Sequence, residues 1–175
     1  KPIYDKYGIK RVVYSTYQAV SGAGVKGFDD LKNGAEAYVN CDGSKSYELE
    51  KFPYPIFDNC IPHIDVFLDN GYTKEEEKMV NETRKILDDE TIAITATCVR
   101  VPVFYSHSEA INLELKKEYE VNDIKELLKN APGIVVVDDT DNNKYPLASV
   151  ATGTDEVYVG RIRRDQSQPN TLNCW

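Results

Sequence analysis

The chain has 175 residues, a length that fits one domain with a buried core, and 41% of its residues are hydrophobic and 29% charged, as in ordinary globular proteins. The net charge of −8 repels phosphate backbones, which argues against nucleic acid as a partner. No apolar run approaches the roughly 18 residues that a membrane helix needs, and no signal-peptide pattern opens the chain. Because it begins with Lys1 rather than Met, we expect it to be a piece of a longer protein.

The cysteines and acidic residues give no metal signature. The four cysteines are far apart without a C-x-x-C pair, and two histidines cannot complete a zinc site of the usual spacing. We therefore expect reduced thiols, no metal and a cytoplasmic location. The acidic run 138–143 lacks the Gly and the closing Glu of a calcium loop, which favours a solvated turn. Cys98 lies in an apolar strand, where a thiol is usually inert.

The first half of the chain predicts one strand and two helices. Residues 10–17 are β-branched and aromatic and predict a strand, which runs into the small-residue turn 21–24. Residues 25–40 are weakly helical, and residues 41–58 predict an irregular excursion. The clearest helix is 74–88, where Thr73 and Glu76 form a capping box. Its buried face is predicted from four residues at helical spacing: Met79, Thr83, Ile86 and Leu87.

The second half predicts mainly strands. Residues 91–99 alternate too little for a half-exposed strand, so we expect burial on both faces. Asn122 is expected to cap a short helix over 123–130. Further strands are predicted at 103–105, 107–115, 134–137 and 156–162. The pattern predicts an α+β fold, a mixed and mostly antiparallel sheet with helices on one face. No G-x-G-x-x-G follows a strand and no P-loop occurs, so we expect no dinucleotide fold within this chain.

Six segments in order carry a resemblance to a known family. They are Ser-Thr-Tyr-Gln-Ala-Val-Ser-Gly-Ala-Gly at 15–24, Asn-Cys-Ile-Pro-His-Ile-Asp at 59–65, Glu-Thr-Arg-Lys-Ile at 82–86, Thr-Ala-Thr-Cys-Val-Arg-Val-Pro-Val at 95–103, His-Ser-Glu-Ala at 107–110 and Val-Gly-Arg-Ile-Arg-Arg-Asp at 159–165. The chain thereby resembles the second half of bacterial-type aspartate-semialdehyde dehydrogenases over essentially its whole length. The resemblance implies one catalytic and dimerisation domain over 1–175, similar to the C-terminal domain of glyceraldehyde-3-phosphate dehydrogenase, without the nucleotide-binding domain.

The resemblance also implies a reaction. These oxidoreductases convert L-aspartyl-4-phosphate and NADPH to L-aspartate 4-semialdehyde and phosphate, a step toward lysine, diaminopimelate, methionine, threonine and isoleucine. The family's nucleophilic cysteine belongs to a Pro-Asn-Cys motif that this chain lacks, and its long C-terminal helix is also missing, so we expect the isolated chain to be inactive. NADP would be bound mainly by the other half. The implied partners are the small-molecule substrate and a second copy in a homodimer, with neither nucleic acid nor membrane.

Five positions match the family's functional residues. Arg100 matches the arginine that binds the substrate carboxylate, a group that a planar guanidinium can hold with two parallel hydrogen bonds. His107 matches the catalytic histidine, the side chain that exchanges protons near neutrality. Gln18 matches a catalytic and substrate-binding glutamine that helps orient the nucleophile. Ser21 and Gly22 match positions that approach the cofactor.

The predicted helix 74–88 supplies the remaining substrate contacts. The resemblance pairs Glu82 with the substrate ammonium and Lys85 with its phosphate. The alternative is an i,i+3/i+4 ladder with Glu75 and Lys78, worth only a few tenths of a kcal/mol per pair. We expect the substrate-binding and catalytic side chains to meet in one cleft.

Two other functions remain open. A related acyl-phosphate reductase could act on N-acetylglutamyl phosphate, although its acetylated amine would leave Glu82 without a cation. A non-catalytic dimerisation module could have kept the fold alone, although it would have no use for Gln18, Glu82, Arg100 and His107 together.

Overall fold

The computed structural model describes residues 1–40 and 47–175, so Cys41 and the start of the predicted excursion lie outside the described residues. The helices are α1 (Pro2–Tyr7), α2 (Val25–Asn40), α3 (Lys74–Leu87), α4 (Val121–Lys129) and α5 (Ala148–Ala151), with 3-10 turns at Val20–Ala23 and Thr140–Asn142. The strands are β1 (Ile9–Gln18), β2 (Ala93–Arg100), β3 (Ser108–Leu115), β4 (Ile134–Val136), β5 (Val157–Val159), β6 (Arg163–Arg164) and β7 (Thr171–Cys174). Within the described ranges, no helix is both long enough and apolar enough to cross a membrane.

The main sheet has the order β2-β1-β3-β7-β6. β1 and β2 are parallel, whereas the pairs β1–β3, β3–β7 and β6–β7 are antiparallel. β4 and β5 form a separate parallel pair. The predicted mixed, mostly antiparallel α+β fold is confirmed.

One face of the main sheet carries the core. Val12, Leu115 and Leu172 are fully or almost fully buried there and belong to one cluster with Ile124 of α4 and Tyr7 of α1. Alternate residues of a strand point to opposite faces, and on the other face of the sheet Arg11, Tyr17 and Thr97 are exposed. The helices therefore cover one side of the sheet.

Several predicted elements are wrong in type or extent. Residues 103–105 form no strand, because the carbonyls of Val103 and Phe104 accept hydrogen bonds from the 3-10 turn at Val20–Ala23 instead of from a strand. β5 stops at Val159 rather than reaching 162, because the N–H of Gly160 donates to the Trp175 carbonyl oxygen and the next two N–H groups donate to the Asp138 carboxylate. α4 is preceded by Glu120 and not capped by Asn122. The sequence predicted neither β6 nor β7.

The burial predicted for β2 is wrong, and that predicted for α3 is wrong at one residue. β2 is the edge strand of the sheet, with Ala96 and Cys98 buried and Thr97 between them exposed, so only one of its faces is covered. On α3, Leu87 is buried and Met79 packs against a buried cluster, as predicted, but Ile86 is 70% exposed. Apolar character alone therefore overstates how much of each element is covered.

Candidate active site

Three strand ends meet at one edge of the main sheet. Gln18 and Arg100 are the last residues of β1 and β2 and are register partners. His107 directly precedes β3, whose first residue Ser108 pairs with Tyr17. Parallel β1 and β2 end at the edge where antiparallel β3 begins. The three polar side chains therefore line one open cleft of about 730 Å³.

Arg100 is held rigidly although it is charged. Its side chain is 6% exposed, its Nη1 donates to the Ala19 carbonyl oxygen at 2.6 Å, and its Cζ lies 5.9 Å from the centroid of the Phe52 ring. Burial lowers the pKa of the guanidinium, and the negative charge of Glu75 opposes that shift. A guanidinium has five N–H donors, so the Ala19 bond leaves others for an anionic ligand.

His107 is held as a neutral imidazole. Its Nδ1 accepts a hydrogen bond from the Ala19 N–H at 3.1 Å, so the neutral ring carries its proton on Nε2. Burial lowers the pKa of His107 below 6.5, and the positive charge of Arg100 lowers it further, while Glu75 opposes the shift. A proton on Nδ1 would point at the Ala19 N–H, so two hydrogen-bond donors would face each other with no acceptor between them. Nε2 is therefore the position open to proton exchange.

Gly22 brings the 3-10 turn against both of these side chains. A Cβ atom at Gly22 would lie 3.2 Å from Nε2 of His107 and 3.3 Å from Nη1 of Arg100. Ser21 lies in the same turn, and its N–H donates to the Phe104 carbonyl oxygen. Gly24 ends the turn with φ +79° and open space where its side chain would be. The small-residue motif allows this close approach and leaves the main chain of Gly22 exposed in the cleft.

The first turn of α3 forms the opposite wall. Glu75 accepts a hydrogen bond from Gln18 Nε2 at 3.3 Å and lies 3.6 Å from the ammonium of Lys78. Both α3 residues line the cleft. The neighbouring Glu76 is buried, and its carboxylate accepts from the main-chain N–H groups of Thr73 and Cys98. The bond from Cys98 joins the start of α3 to β2 two residues before Arg100, which holds Glu75 near the end of that strand.

Glu82 and Lys85 do not reach this cleft. Both are exposed and neither lines it, because they follow Glu75 and Lys78 by seven residues, about two helical turns or roughly 10 Å along the axis. The structure thus brings Gln18, Gly22, Arg100 and His107 together, but not the two α3 residues that the sequence singled out. The pair Glu75 and Lys78 has the same Glu-x-x-Lys spacing. Sequence spacing alone does not distinguish this pair from Glu82 and Lys85.

No cysteine among the described residues lines the cleft. Cys98 and Cys174 are buried, and burial raises the pKa of both thiols, that of Cys174 to about 12. Cys60 is exposed outside the cleft. Residues 1–40 and 47–175 also contain no group of three or more His, Cys, Asp or Glu side chains that could hold a metal ion.

Comparison with known proteins extends over the whole chain. Residues 1–175 match the family model described as "Semialdehyde dehydrogenase, dimerisation domain". The aspartate-semialdehyde dehydrogenase of Aquifex aeolicus is 57% identical over 175 residues, which cover 100% of this chain and 51% of that protein. The chain therefore spans about half the length of the curated relatives it matches.

Solved structures show the same fold. The crystal structure of aspartate semialdehyde dehydrogenase II complexed with ASA from Vibrio cholerae matches with a TM-score of 0.92 and 43% identity, covering 100% of this chain and 51% of that chain. The aspartate semialdehyde dehydrogenase with NADP from Candida albicans matches with a TM-score of 0.67 and 25% identity, covering 99% of this chain and 47% of that chain.

Proposed function

Because the chain belongs to the semialdehyde dehydrogenase dimerisation-domain family, as the C-terminal domain of an aspartate-semialdehyde dehydrogenase, we propose that it is the substrate-binding half of an enzyme that reduces L-aspartyl-4-phosphate to L-aspartate 4-semialdehyde. The reduction uses NADPH and releases phosphate. The observation that carries the proposal is the convergence of Gln18, Glu75, Arg100 and His107 on one cleft.

The charges of the cleft complement those of the substrate. Aspartyl phosphate carries one ammonium, one carboxylate and one phosphate. Buried Arg100 binds the carboxylate with two hydrogen bonds, a geometry that lysine cannot offer. Glu75 meets the ammonium, and Lys78, whose side chain is 55% exposed, reaches the phosphate at the mouth. These two residues replace Glu82 and Lys85 in the assignment.

His107 and Gln18 act at the reacting carbonyl. His107 exchanges protons through Nε2, because the Ala19 N–H occupies Nδ1. A neutral imidazole whose Nε2–H faces the substrate can donate that proton to an oxygen that gains negative charge. Gln18 is oriented by Glu75, since its Nε2 donates to that carboxylate, which leaves its side-chain oxygen for a second contact.

The nucleophilic thiol and most NADP contacts belong to the half of the relatives' length that this chain does not span, so the isolated chain is inactive. The support is that no cysteine of the described residues lines the cleft. When bound, NADPH supplies the hydride. The turn with Ser21 and Gly22 fits the approach of such a cofactor, because Gly22 lines the cleft, is exposed and carries no side chain.

The open face of the main sheet is where a second copy binds. Tyr17, 40% exposed, lies on this face and contacts Trp175, with 5.3 Å between the ring centroids. Thr97 of β2 is exposed on the same face. An uncovered sheet face of this kind is suited to an isologous contact in a homodimer.

Two alternatives receive less support. N-acetylglutamyl phosphate has no ammonium, so Glu75 would find no cation on that substrate. A non-catalytic dimerisation module would have no use for an arginine and a histidine held in one cleft by the same alanine.

The proposal is tested by Arg100→Lys in the full-length protein. Lysine keeps the positive charge but loses the second parallel hydrogen bond, which costs about 1.5 kcal/mol of binding free energy. We therefore expect KM for aspartyl phosphate to rise at least about tenfold. Circular dichroism checks that the fold is retained. A folded Arg100→Lys enzyme with an unchanged KM contradicts the assignment.

A further inference from the structure

A buried carboxylate outside the cleft holds part of its wall. Asp30 lies in the middle of α2 with 0% of its surface exposed. Its two oxygens accept hydrogen bonds from the consecutive main-chain N–H groups of Glu50, Lys51 and Phe52, at 2.8, 3.0 and 2.9 Å. A buried charge is costly unless it is hydrogen-bonded, and consecutive N–H groups form a suitable anion nest. Asp30 therefore fastens the main chain of residues 50–52 to α2.

The surface of α2 is shaped for this segment. Gly27 and Gly34 lie one turn to either side of Asp30 and are buried with it. A Cβ atom at Gly27 would lie 3.1 Å from Cζ of Phe52, and one at Gly34 would lie 2.7 Å from the Tyr47 hydroxyl. The two glycines thus let the segment lie directly on the helix, and Asp30 fixes it between them.

The fastened segment forms one side of the cleft. Lys51, Phe52 and Pro53 all line it. The Phe52 ring lies over the guanidinium of Arg100, 5.9 Å from centroid to Cζ. An aromatic ring at this place keeps water from one side of the guanidinium, and hydrogen bonds to a charged group are stronger where water is excluded.

We propose that Asp30 is a positioning residue for substrate binding, which acts by holding Phe52 against Arg100. This inference rests on the function proposed above. Asp30 touches no substrate atom, so its effect passes through the main chain of residues 50–52. Loss of the clamp should weaken the binding of an anionic substrate more than it slows proton transfer at His107.

The clamp itself is tested by amide hydrogen exchange on the 175-residue chain. Asp30→Asn keeps the shape and one acceptor oxygen, so the chain should fold, while the amides of residues 50–52 should exchange at least about tenfold faster. Asp29→Asn is the control, because its carboxylate makes none of the three bonds. Unchanged exchange at residues 50–52 in the folded Asp30→Asn chain overturns the clamp.

The link to binding is tested by a double-mutant cycle in the full-length protein. Asp30→Asn and Phe52→Ala should each raise KM for aspartyl phosphate about threefold to tenfold with kcat changed less than about twofold, and the double variant should resemble the more affected single variant. Additive effects, or a fall in kcat with unchanged KM, overturn the proposed path through Phe52. Phe52→Ala alone supplies this test if Asp30→Asn does not fold: an unchanged KM overturns the path.

The role of Asp30 and the proposed function can fail independently in these measurements. A wild-type full-length protein without reductase activity refutes the proposed function, whereas hydrogen exchange still decides whether Asp30 holds the segment.

Discussion

The main-chain N–H of Ala19 donates a hydrogen bond to Nδ1 of His107 over 3.1 Å. The carbonyl oxygen of the same residue accepts from Nη1 of Arg100 at 2.6 Å. Ala19 is fully buried, and both of its polar groups are main-chain atoms. One residue directly after β1 therefore sets the relative position of the His107 ring and the Arg100 guanidinium.

The first prediction concerns the titration of His107. Burial and the charge of Arg100 lower its pKa, so we expect the imidazole to titrate below 6.5 in the folded chain. NMR measures this value on the wild-type chain, and the histidine signal that disappears in the His107→Gln variant identifies His107. A pKa of His107 at or above 6.5 would show that the ring is not held in its neutral form.

The same shift predicts a pH dependence of stability. A pKa lowered by folding means that the unfolded chain binds the proton first as pH falls. This residue's contribution therefore reduces the free energy of unfolding as pH drops from 6.5 through the lower folded pKa. His107→Gln should remove that part of the pH dependence in urea titrations, and an identical profile for variant and wild type would count against it.

Gly22→Ala should damage chemistry more than stability. The new Cβ would lie 3.2 Å from His107 and 3.3 Å from Arg100, so both must shift by a few tenths of an ångström, at a cost of about 1 kcal/mol. We expect kcat/KM of the full-length enzyme to fall at least about tenfold, since small displacements of positioned groups are costly in catalysis.

The matched control is Gly153→Ala. Gly153 has φ +83° and open space around it, so alanine there costs about 1–2 kcal/mol through backbone strain alone. It should lower stability to a similar extent and leave kcat/KM unchanged. Equal losses of activity in both variants would mean that Gly22 acts only through stability.

The sequence predicts the start of α3 from hydrogen bonds between neighbouring residues. It does not predict the hydrogen bonds that α3 makes to distant parts of the chain. The capping box of Thr73 and Glu76 is confirmed, because its hydrogen bonds join residues three positions apart. The same Glu76 is buried because its carboxylate also accepts from the amide of Cys98, which lies 22 residues away. A sequence pattern cannot reveal that bond, and a helix with few apolar residues does not otherwise fix its orientation.

The sequence does not show which side of α3 faces the cleft. This is why it predicts Glu82 and Lys85, and not Glu75 and Lys78, as substrate-binding residues. Two Glu-x-x-Lys pairs occur on α3, and sequence spacing treats them alike. Only the contact between the first turn of α3 and β2 shows which pair faces the cleft. By contrast, Gln18, Arg100 and His107 follow or precede apolar strands, and strand ends predict a common edge of the sheet.

β2 illustrates a second limit. Its apolar sequence predicts burial on both faces, yet it is an edge strand with one face open. Apolar residues are also required on a surface that another chain covers, and a single sequence does not distinguish the two cases.

Glu76→Gln should lower the stability of the fold. The carboxylate of Glu76 accepts from two buried main-chain N–H groups, at 2.8 Å from Thr73 and 3.0 Å from Cys98, and a glutamine amide turns one acceptor into a donor. We expect the free energy of unfolding to fall by about 1–3 kcal/mol in urea titrations.

Glu77→Gln is the control on the same helix turn. Its carboxylate accepts an exposed hydrogen bond from Asn70, so the cost should stay within about 0.5 kcal/mol. Equal costs for Glu76→Gln and Glu77→Gln would argue that only the helix dipole is affected, and not the joint between α3 and β2.

The most direct measurement compares Glu75→Gln with Glu82→Gln in the full-length enzyme, by steady-state kinetics with aspartyl phosphate. The two substitutions remove the same charge from the same helix, two turns apart, but only Glu75 lines the cleft. We expect Glu75→Gln to lower kcat/KM at least about a hundredfold, which corresponds to the loss of one charged contact of about 3 kcal/mol. Glu82→Gln should stay within about twofold of the wild type. A large loss in Glu82→Gln with an active Glu75→Gln would contradict the proposed cleft.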